Sequence, residues 1–307
     1  MIKKWVLKEF FAKILALFFI TKTKRRSIRD KIRFNDLVKS VYKNDFKINT
    51  YPKKINISFC FNNKGFDLGL VAIKSLLMSS IGRCDYKIYC VIDKEFPKEY
   101  KEIIQDVVKN TGSEIIFLFS NDDFNNSYLS KWPVAIYYRM MLPKLLPDVD
   151  NIIYADIDTI FFKDLIELSQ IDMGENIIAG VKDYPNGYIN SGFIVMNLKK
   201  IRELGLYEKW IEVSQIKKYK NPDQDLLNYT TRGKVLFLPL KYNLQTMRGS
   251  WIYKTHSEKE INDLKHNLVV MHYSNWMKPW HSLDRRPIFS KYWWDVAKTI
   301  PFWADRK

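Results

Sequence analysis

Two carboxylates one residue apart carry the strongest chemical signal in the sequence. Asp156 and Asp158 directly follow NIIYA (residues 151–155), an apolar run typical of a buried strand. In an extended chain, side chains two positions apart point the same way, and neighbouring carboxylates repel each other unless they share a cation or a proton. Oxygen ligands suit Mg²⁺ and Mn²⁺. The pair therefore predicts a divalent-metal site, with a cap or a solvated turn as the structural alternative.

The same segment also fits a different chemistry. NIIYADIDTI matches the first motif of haloacid-dehalogenase-like phosphatases, in which Asp156 would be the nucleophile and Asp158 a general acid. That chemistry requires a downstream acidic pair for Mg²⁺, and no adjacent pair of aspartates follows residue 160. A metal-dependent phosphatase is therefore the alternative hypothesis.

A histidine and a lysine closer to the C-terminus could complete the site. His272 ends the apolar run LVVMH, and a neutral imidazole is a ligand for the later divalent metals. Lys278 follows six residues later, where its ammonium could meet phosphate oxygens as a point charge. A lone histidine at a strand end is more often a hydrogen-bonded core residue. The presence of Lys278 and of the two aspartates raises the ligand interpretation of His272 to the same standing as a core histidine.

Three further polar groups could contact a ligand. Residues 223–225 (DQD) begin a predicted helix, where they could bind sugar hydroxyls or simply cap the helix. Asn190 and Ser191 interrupt an apolar stretch, which by itself indicates a bulge or a turn. Arg139 lies in the aromatic segment IYYRMML, where an isolated arginine is more often part of a structural ion pair than a ligand.

Alternating strands and helices must position these residues. The hydrophobic patterns predict strands at 55–61, 86–93, 113–119, 151–155, 175–181, 189–197, 235–238 and 268–272, and helices at 67–80, 96–110, 130–146, 198–217 and 222–231. This order predicts an α/β fold with a mostly parallel sheet and with ligands at the carboxyl ends of its strands. The sequence contains neither GxGxxG nor a P-loop, so it signals neither a dinucleotide nor an ATP-type phosphate cradle.

Composition sets the broad class of protein. The chain has 307 residues, of which 47% are hydrophobic and 15% aromatic, enough to bury a core. The three cysteines have no CxxC spacing, which argues against a disulfide scaffold or a thiolate zinc site and fits a reducing compartment.

The positive charge is concentrated at the N-terminus. Of the net charge of +16, residues 1–50 contribute most, with fourteen Lys or Arg residues against four acidic ones. The apolar stretch at 5–20 is interrupted by charges, so it is too short and too charged to span a bilayer well. An apolar helix beside a polybasic run predicts binding to an anionic membrane surface, and a helix packed on its own domain or in a dimer is the alternative. We therefore expect a cytoplasmic protein, peripheral on the inner face of the cell membrane.

Taken together, the motifs resemble the retaining glycosyltransferase family 8, whose bacterial members include lipopolysaccharide galactosyl- and glucosyltransferases. The resemblance runs from about residue 54 to about residue 283. Its pieces occur in the family's order, namely ISFCF, Tyr138-Arg139, IIYADIDTIF, INSGFIVMNLKK, PDQDLLN and HYSNWMKPWH. Six modest motifs in order are more specific than any one of them.

The resemblance implies a GT-A fold and a UDP-sugar donor bound with Mn²⁺, or with Mg²⁺ in its place. Carried over by position, Asp156, Asp158 and His272 correspond to the metal ligands. Asp223 and Gln224 correspond to the catalytic pair beneath the anomeric carbon. The positions implied to contact the donor are Asn62, Asn63, Arg139, Asp156, Ile157, Asn190, Ser191, Asp223, Gln224, Asn275 and Lys278.

Three positions depart from the family pattern. Asn62 stands where the family usually has Asp, and Asn275 stands where it often has Gly. The family's base-stacking Tyr is absent, and Phe66 is the aromatic residue that could replace it. The differences at Asn62 and Phe66 concern recognition of the uracil base, and the difference at Asn275 concerns how closely the backbone can approach the diphosphate.

The expected function is transfer of galactose or glucose, with retention, from a UDP-sugar to an envelope glycan or a lipid-linked acceptor. Because an amide is a weak nucleophile, front-face attack is favoured over a covalent intermediate on Gln224, with Asp225 as the minority candidate for such an intermediate. The expected domains are a basic membrane segment at 1–50, the catalytic domain at 51–283 and an aromatic-basic tail at 284–307. A nucleic-acid binder is suggested by charge alone, and no helix-turn-helix, RNP or zinc pattern supports it.

Overall fold

The computed structural model describes residues 54–129, 131–183, 187–246, 256–274, 278–281 and 290–304. Among these, residues 54–246 and 267–304 belong to one compact unit. Residues 256–266 belong to a second unit and form most of one helix. The predicted membrane segment at 1–50 and the predicted donor contact Asn275 lie outside the described residues.

Ten strands are present among the described residues. They are β1 Lys54–Cys60, β2 Asp85–Ile92, β3 Glu114–Phe119, β4 Asn151–Ala155, β5 Thr159–Phe161, β6 Ile178–Asp183, β7 Tyr188–Asn197, β8 Val235–Leu238, β9 Leu244–Gln245 and β10 Val270–His272.

The α-helices in the same part of the chain are mostly short. They are α1 Phe66–Ser79, α2 Lys98–Val108, α3 Leu142–Leu145, α4 Ile166–Ser169, α5 Leu198–Glu203, α6 Leu206–Ile216, α7 Pro222–Thr230, α8 Glu258–Asn267, α9 Ser290–Ala297 and α10 Pro301–Ala304. Helices of the 3₁₀ type cover Asn63–Gly65, Val134–Met141 and Leu240–Tyr242.

The main sheet has seven strands in the order β3-β2-β1-β4-β7-β6-β8. The strands β3, β2, β1 and β4 are parallel, as are β6 and β8, whereas β7 is antiparallel to both of its neighbours. The central strand β4 is buried from Ile152 to Ala155, because β1 and β7 flank it and helices cover the sheet. The prediction of an α/β fold with a mostly parallel sheet is confirmed.

A second, three-stranded sheet in the order β5-β10-β9 positions the predicted metal ligands. The strand β5 begins at Thr159, directly after the second aspartate, and pairs antiparallel with β10 so that Thr159 lies opposite His272. Pairing of these two strands therefore carries the histidine to the aspartates across more than one hundred residues of chain. The short strands β5 and β9 were not predicted, because two or three residues are too few to show a period.

Two predicted helices are different in the structure. The segment predicted as a helix at 130–146 is a 3₁₀ helix over Val134–Met141 followed by the single turn α3, with Pro143 in its first turn. The segment at 198–217 is two helices rather than one, because Gly205 adopts a left-handed conformation with φ of 59° between α5 and α6. Within the described ranges, no helix combines the length and the apolar character needed to cross a bilayer.

Candidate active site

The three predicted metal ligands converge at the carboxyl end of β4. Asp156 and Asp158 lie in the connection between β4 and β5, and His272 ends β10. The Nε2 atom of His272 lies 3.1 Å from Oδ1 of Asp158 and 3.7 Å from Oδ2 of Asp156. One donor atom of each residue lies within 4.8 Å of the other two. Two carboxylate oxygens and an imidazole nitrogen form a donor set that could hold a divalent cation.

Two neighbours hold one oxygen of the first carboxylate. Oδ1 of Asp156 accepts hydrogen bonds from the Tyr154 hydroxyl at 2.6 Å and from Nη2 of Arg139 at 2.9 Å. The Arg139 guanidinium also lies over the Tyr154 ring, 4.3 Å from its centroid. This leaves Oδ2 of Asp156 as the oxygen facing the imidazole. Tyr154 was not predicted, although it lies two residues before Asp156 on the same face of the strand.

Arg139 joins the carboxylate pair to the predicted sugar-binding residues. Its side chain is buried, and Nη1 lies 2.8 Å from the Ser191 carbonyl oxygen and 3.3 Å from Oδ2 of Asp223. Burial acts to lower the pKa of the guanidinium, but the Asp156 and Asp223 carboxylates outweigh it and the pKa is raised. The arginine is therefore a fixed positive charge between two acids, in agreement with its interpretation as an ion-pair residue.

Lys278 contacts the second carboxylate. Its Nζ atom lies 2.6 Å from Oδ2 of Asp158 and 2.6 Å from the Tyr273 carbonyl oxygen. Burial acts to raise the pKa of Asp158, but the Lys278 ammonium and the His272 imidazole outweigh it and hold that pKa well below its usual range. Asp158 is thus ionised. The Lys278 ammonium, which is predicted to bind phosphate, lies beside the same cluster.

The other predicted polar residues form a second hydrogen-bonded group beside the first. The side-chain oxygen of Gln224 accepts from Nδ2 of Asn190 at 3.0 Å and from the Ser191 backbone N–H at 3.1 Å. Nε2 of Gln224 donates to Oδ2 of Asp183 at 3.1 Å, and the Ser191 hydroxyl donates to Oδ2 of Asp223 at 3.0 Å. Asp183, at the end of β6, was not predicted because only the sheet reveals that it faces Gln224.

The three residues of the DQD segment have different environments. Asp223 is buried beside Arg139, and burial together with the nearby Asp156 charge raises its pKa. Asp225 has other partners, because its two oxygens accept from the Tyr188 hydroxyl and from the Asn221 backbone N–H, both at 2.9 Å. Asp225 therefore binds the backbone just before α7, whereas Asp223 and Gln224 both bind Ser191.

Gly192 lets the two groups approach each other. A Cβ atom at this position would lie 2.2 Å from Cε1 of His272 and 2.6 Å from Oδ2 of Asp156. The Gly192 carbonyl oxygen also accepts from the Asp156 backbone N–H at 2.7 Å. Only glycine fits between these two side chains without displacing them.

The residues after β1 are arranged for capping. The side-chain oxygen of Asn62 accepts from the Lys64 backbone N–H at 3.1 Å and caps the first 3₁₀ helix, while Asn63 is exposed. The expectation that Phe66 could stack on a base is wrong. Its ring is buried and already stacked on Tyr100 with the centroids 4.0 Å apart. Ile157, between the two aspartates, is half-buried, and its Cδ1 atom lies where a Cβ on Gly65 would fall.

Comparison with known proteins identifies the family. The sequence profile described as Glycosyl transferase family 8 matches residues 56–284. A putative glycosyltransferase of Haemophilus influenzae is 26% identical over 256 residues, which are 70% of this chain and 75% of that protein. A lipopolysaccharide 1,2-glucosyltransferase of Escherichia coli is 26% identical over 280 residues, covering 82% of this chain and 81% of that protein.

Solved structures agree on the fold. The galactosyltransferase LgtC, crystallised with donor and acceptor sugar analogs, superposes with a TM-score of 0.69 at 22% identity, covering 80% of this chain and 96% of LgtC. The bifunctional glycosyltransferase WbbM superposes with a TM-score of 0.70 at 19% identity, covering 86% of this chain and 53% of WbbM. Both are GT-A proteins, so the predicted fold is confirmed. The chain belongs to glycosyl transferase family 8 and is a glycosyltransferase of the GT-A fold.

Proposed function

We propose that the protein transfers a hexose, galactose or glucose, from a UDP-sugar to an envelope glycan or a lipid-linked acceptor with retention of configuration. The observation that carries this proposal is the pair of joined groups, the Asp156–Asp158–His272 cluster and the Asp223–Gln224 group, bridged by Arg139. A relative from Salmonella typhimurium, 25% identical over 81% of this chain, is named as a lipopolysaccharide 1,3-galactosyltransferase. The family assignment also replaces the phosphatase interpretation of the DxD motif.

A divalent cation fits the first group, and Mn²⁺ is the ion that we propose, with Mg²⁺ as the substitute. The residues that would hold it are Asp156, Asp158 and His272, an oxygen-oxygen-nitrogen set. When bound, such an ion would neutralise the charge that develops on the diphosphate leaving group. Lys278 and Arg139 supply two further positive charges from the protein, one at each aspartate. Fixed charges of this kind stabilise a departing anion without reorganisation.

The second group would bind the donor sugar. The Gln224 side-chain oxygen already accepts two hydrogen bonds, which makes a weakly nucleophilic amide weaker still. The Asp225 oxygens both already accept hydrogen bonds, from Tyr188 and from Asn221. This arrangement favours front-face attack, in which a phosphate oxygen of the donor takes the proton of the acceptor hydroxyl. Asp223 and Gln224 would then orient the sugar and stabilise its positively charged transition state.

A donor screen tests the proposed reaction. UDP release would be measured with Mn²⁺ and a panel of UDP-, GDP- and dTDP-sugars, because donor hydrolysis can be observed without the acceptor. We expect release from UDP-galactose or UDP-glucose that is at least tenfold above the other donors and is abolished by EDTA. Turnover of p-nitrophenyl phosphate without UDP release would contradict the proposal.

The proposed location follows from the charge distribution. We propose that residues 1–50 bind an anionic leaflet at the cytoplasmic face, in front of a catalytic domain at 51–283 and a tail at 284–307. The support is the cluster of fourteen basic residues against four acidic ones in this segment. Co-sedimentation with phosphatidylglycerol vesicles should be lost on deletion of residues 1–50 and weakened by salt. Equal retention of the truncated protein would contradict this anchor.

A further inference from the structure

A buried asparagine outside the six motifs named in the sequence analysis contacts the imidazole of the cluster. Asn243 is fully buried between the 3₁₀ helix Leu240–Tyr242 and β9. Its Oδ1 atom lies 3.2 Å from Nδ1 of His272, and its Nδ2 atom donates to Oδ1 of Asn190 at 2.9 Å. The side chain therefore links the proposed metal ligand to the proposed sugar-binding group.

Backbone donors fix which way these amides face. The Gly192 N–H lies 3.1 Å from the Asn190 side chain, and since an N–H can only donate, the Asn190 atom facing it is the oxygen. That oxygen also faces Asn243, so the Asn243 group opposite it must be the NH₂ group. The carbonyl oxygen of Asn243 is then the atom that faces His272.

The other end of the chain of amides gives the same orientation. The Ser191 N–H fixes the side-chain oxygen of Gln224 as an acceptor, so the Asn190 group facing Gln224 is its NH₂ group. The Gln224 amide nitrogen then faces the Asp183 carboxylate, which can accept it. A consistent series of hydrogen bonds thus runs from His272 through Asn243, Asn190 and Gln224 to Asp183.

We propose that Asn243 is a positioning residue that holds the His272 ring in the orientation that turns Nε2 toward the proposed metal site. Since Asn243 presents an oxygen, Nδ1 of His272 must carry a hydrogen, which leaves Nε2 as the ring nitrogen that can bind a cation. Nε2 is also the atom that lies 3.1 Å from Asp158. Outer partners of ligating histidines commonly fix the tautomer in this way. The inference rests on the proposed metal site. It adds to that site a residue that lies outside the six motifs named in the sequence analysis.

Three substitutions of Asn243 separate this role from simple packing. Asn243→Leu keeps similar volume but removes the acceptor, so Nδ1 of His272 loses its partner. Asn243→Asp keeps an oxygen toward Nδ1, and a protonated carboxyl can still donate to Asn190. Asn243→Ala is a second variant without the acceptor, in case the leucine protein does not fold. The matched control is Ser214→Ala, which removes a fully buried hydroxyl bonded to Ser127 and to the Ile211 carbonyl oxygen.

The test is a titration of the full chain with Mn²⁺ in the presence of UDP, followed by electron paramagnetic resonance. This measurement reports on the metal ligands and does not depend on enzymatic activity. We expect Asn243→Leu and Asn243→Ala to weaken Mn²⁺ binding by about 10- to 100-fold. They should also lose the spin-echo modulation of a coordinated imidazole nitrogen. Asn243→Asp and Ser214→Ala should stay within about threefold of the wild type and keep that modulation.

The outcomes distinguish this inference from the proposed function. If the wild-type chain binds Mn²⁺ with imidazole modulation and Asn243→Leu or Asn243→Ala does the same, the positioning role is overturned while the metal site stands. If the wild-type chain binds no Mn²⁺, the metal site is overturned and the role of Asn243 with it. If affinity follows thermal stability across all four variants, including Ser214→Ala, the side chain acts through packing alone and the inference is also overturned.

Discussion

Replacing Asp158 with asparagine should lower UDP release by about a thousandfold or more while the protein stays folded. The substitution keeps the volume but removes one of the two carboxylate charges of the metal cluster, which is also the anionic partner of Lys278. Metal stabilisation of transition-state charge is worth several kcal/mol, and about 4 kcal/mol corresponds to roughly a thousandfold. UDP release with Mn²⁺ measures the loss, and circular dichroism checks the fold.

Asp225→Asn is the matched control for this prediction. It makes the same change in the helix that carries Gln224, but its carboxylate binds Tyr188 and Asn221 and is not one of the three proposed metal ligands. We expect activity within about threefold of the wild type, because front-face attack assigns no chemical step to this carboxylate. Near-normal turnover of Asp158→Asn would count against the metal assignment, and complete loss in Asp225→Asn would instead favour a covalent intermediate on that carboxylate.

Replacing Arg139 with methionine should lower the free energy of unfolding by about 3 to 5 kcal/mol. The arginine is 5% exposed and is the counter-charge of Asp156 and Asp223, two acids that are 26% and 12% exposed at the side chain. Its removal leaves both carboxylates without their cation. Urea denaturation at neutral pH, followed by tryptophan fluorescence, measures the change.

Arg202→Met provides the comparison for the stability effect. Arg202 is also partly buried, but it donates to the carbonyl oxygens of Leu146 and Val149. Its acidic neighbour Asp150, 3.8 Å away, is exposed to solvent and does not depend on this arginine for compensation. Its loss should cost about 1.5 to 3 kcal/mol, the range for hydrogen bonds that involve a charged group. An Arg139→Met protein no less stable than Arg202→Met would show that Arg139 does not compensate the two acids.

The long elements of the fold could be predicted because each of them buries either one whole face or both of its faces, which gives a clear hydrophobic pattern. NIIYA predicts β4 with its observed bounds, and the alternation before it predicts β1, β2 and β3 within about two residues. Short elements could not be predicted. The strands β5 and β9 have three and two residues, and their pairing with β10 is what brings His272 to Asp158. The convergence of the ligands could therefore be predicted only from the order of the motifs, and not from the hydrophobic pattern of those strands.

The residues missed by sequence analysis share a physical reason. Tyr154 lies inside a buried strand, where an aromatic side chain is explained by packing alone. Asp183 and Asn243 are isolated polar residues whose partners are far along the chain. Each becomes meaningful only when the sheet places a hydrogen-bonding partner within about 3 Å. Asp156 and Asp158 were found because their spacing itself implies a shared cation.

The most direct test of the account is the stoichiometry of Mn²⁺ bound to the full chain with UDP. Equilibrium titration with detection of free Mn²⁺ by electron paramagnetic resonance should give one bound ion per chain, displaced by excess Mg²⁺. The His272→Ala and Asp158→Asn proteins should both lose that ion while binding UDP only weakly. One ion bound equally well by all three proteins would place the cation elsewhere and would contradict the assignment of Asp156, Asp158 and His272 as its ligands.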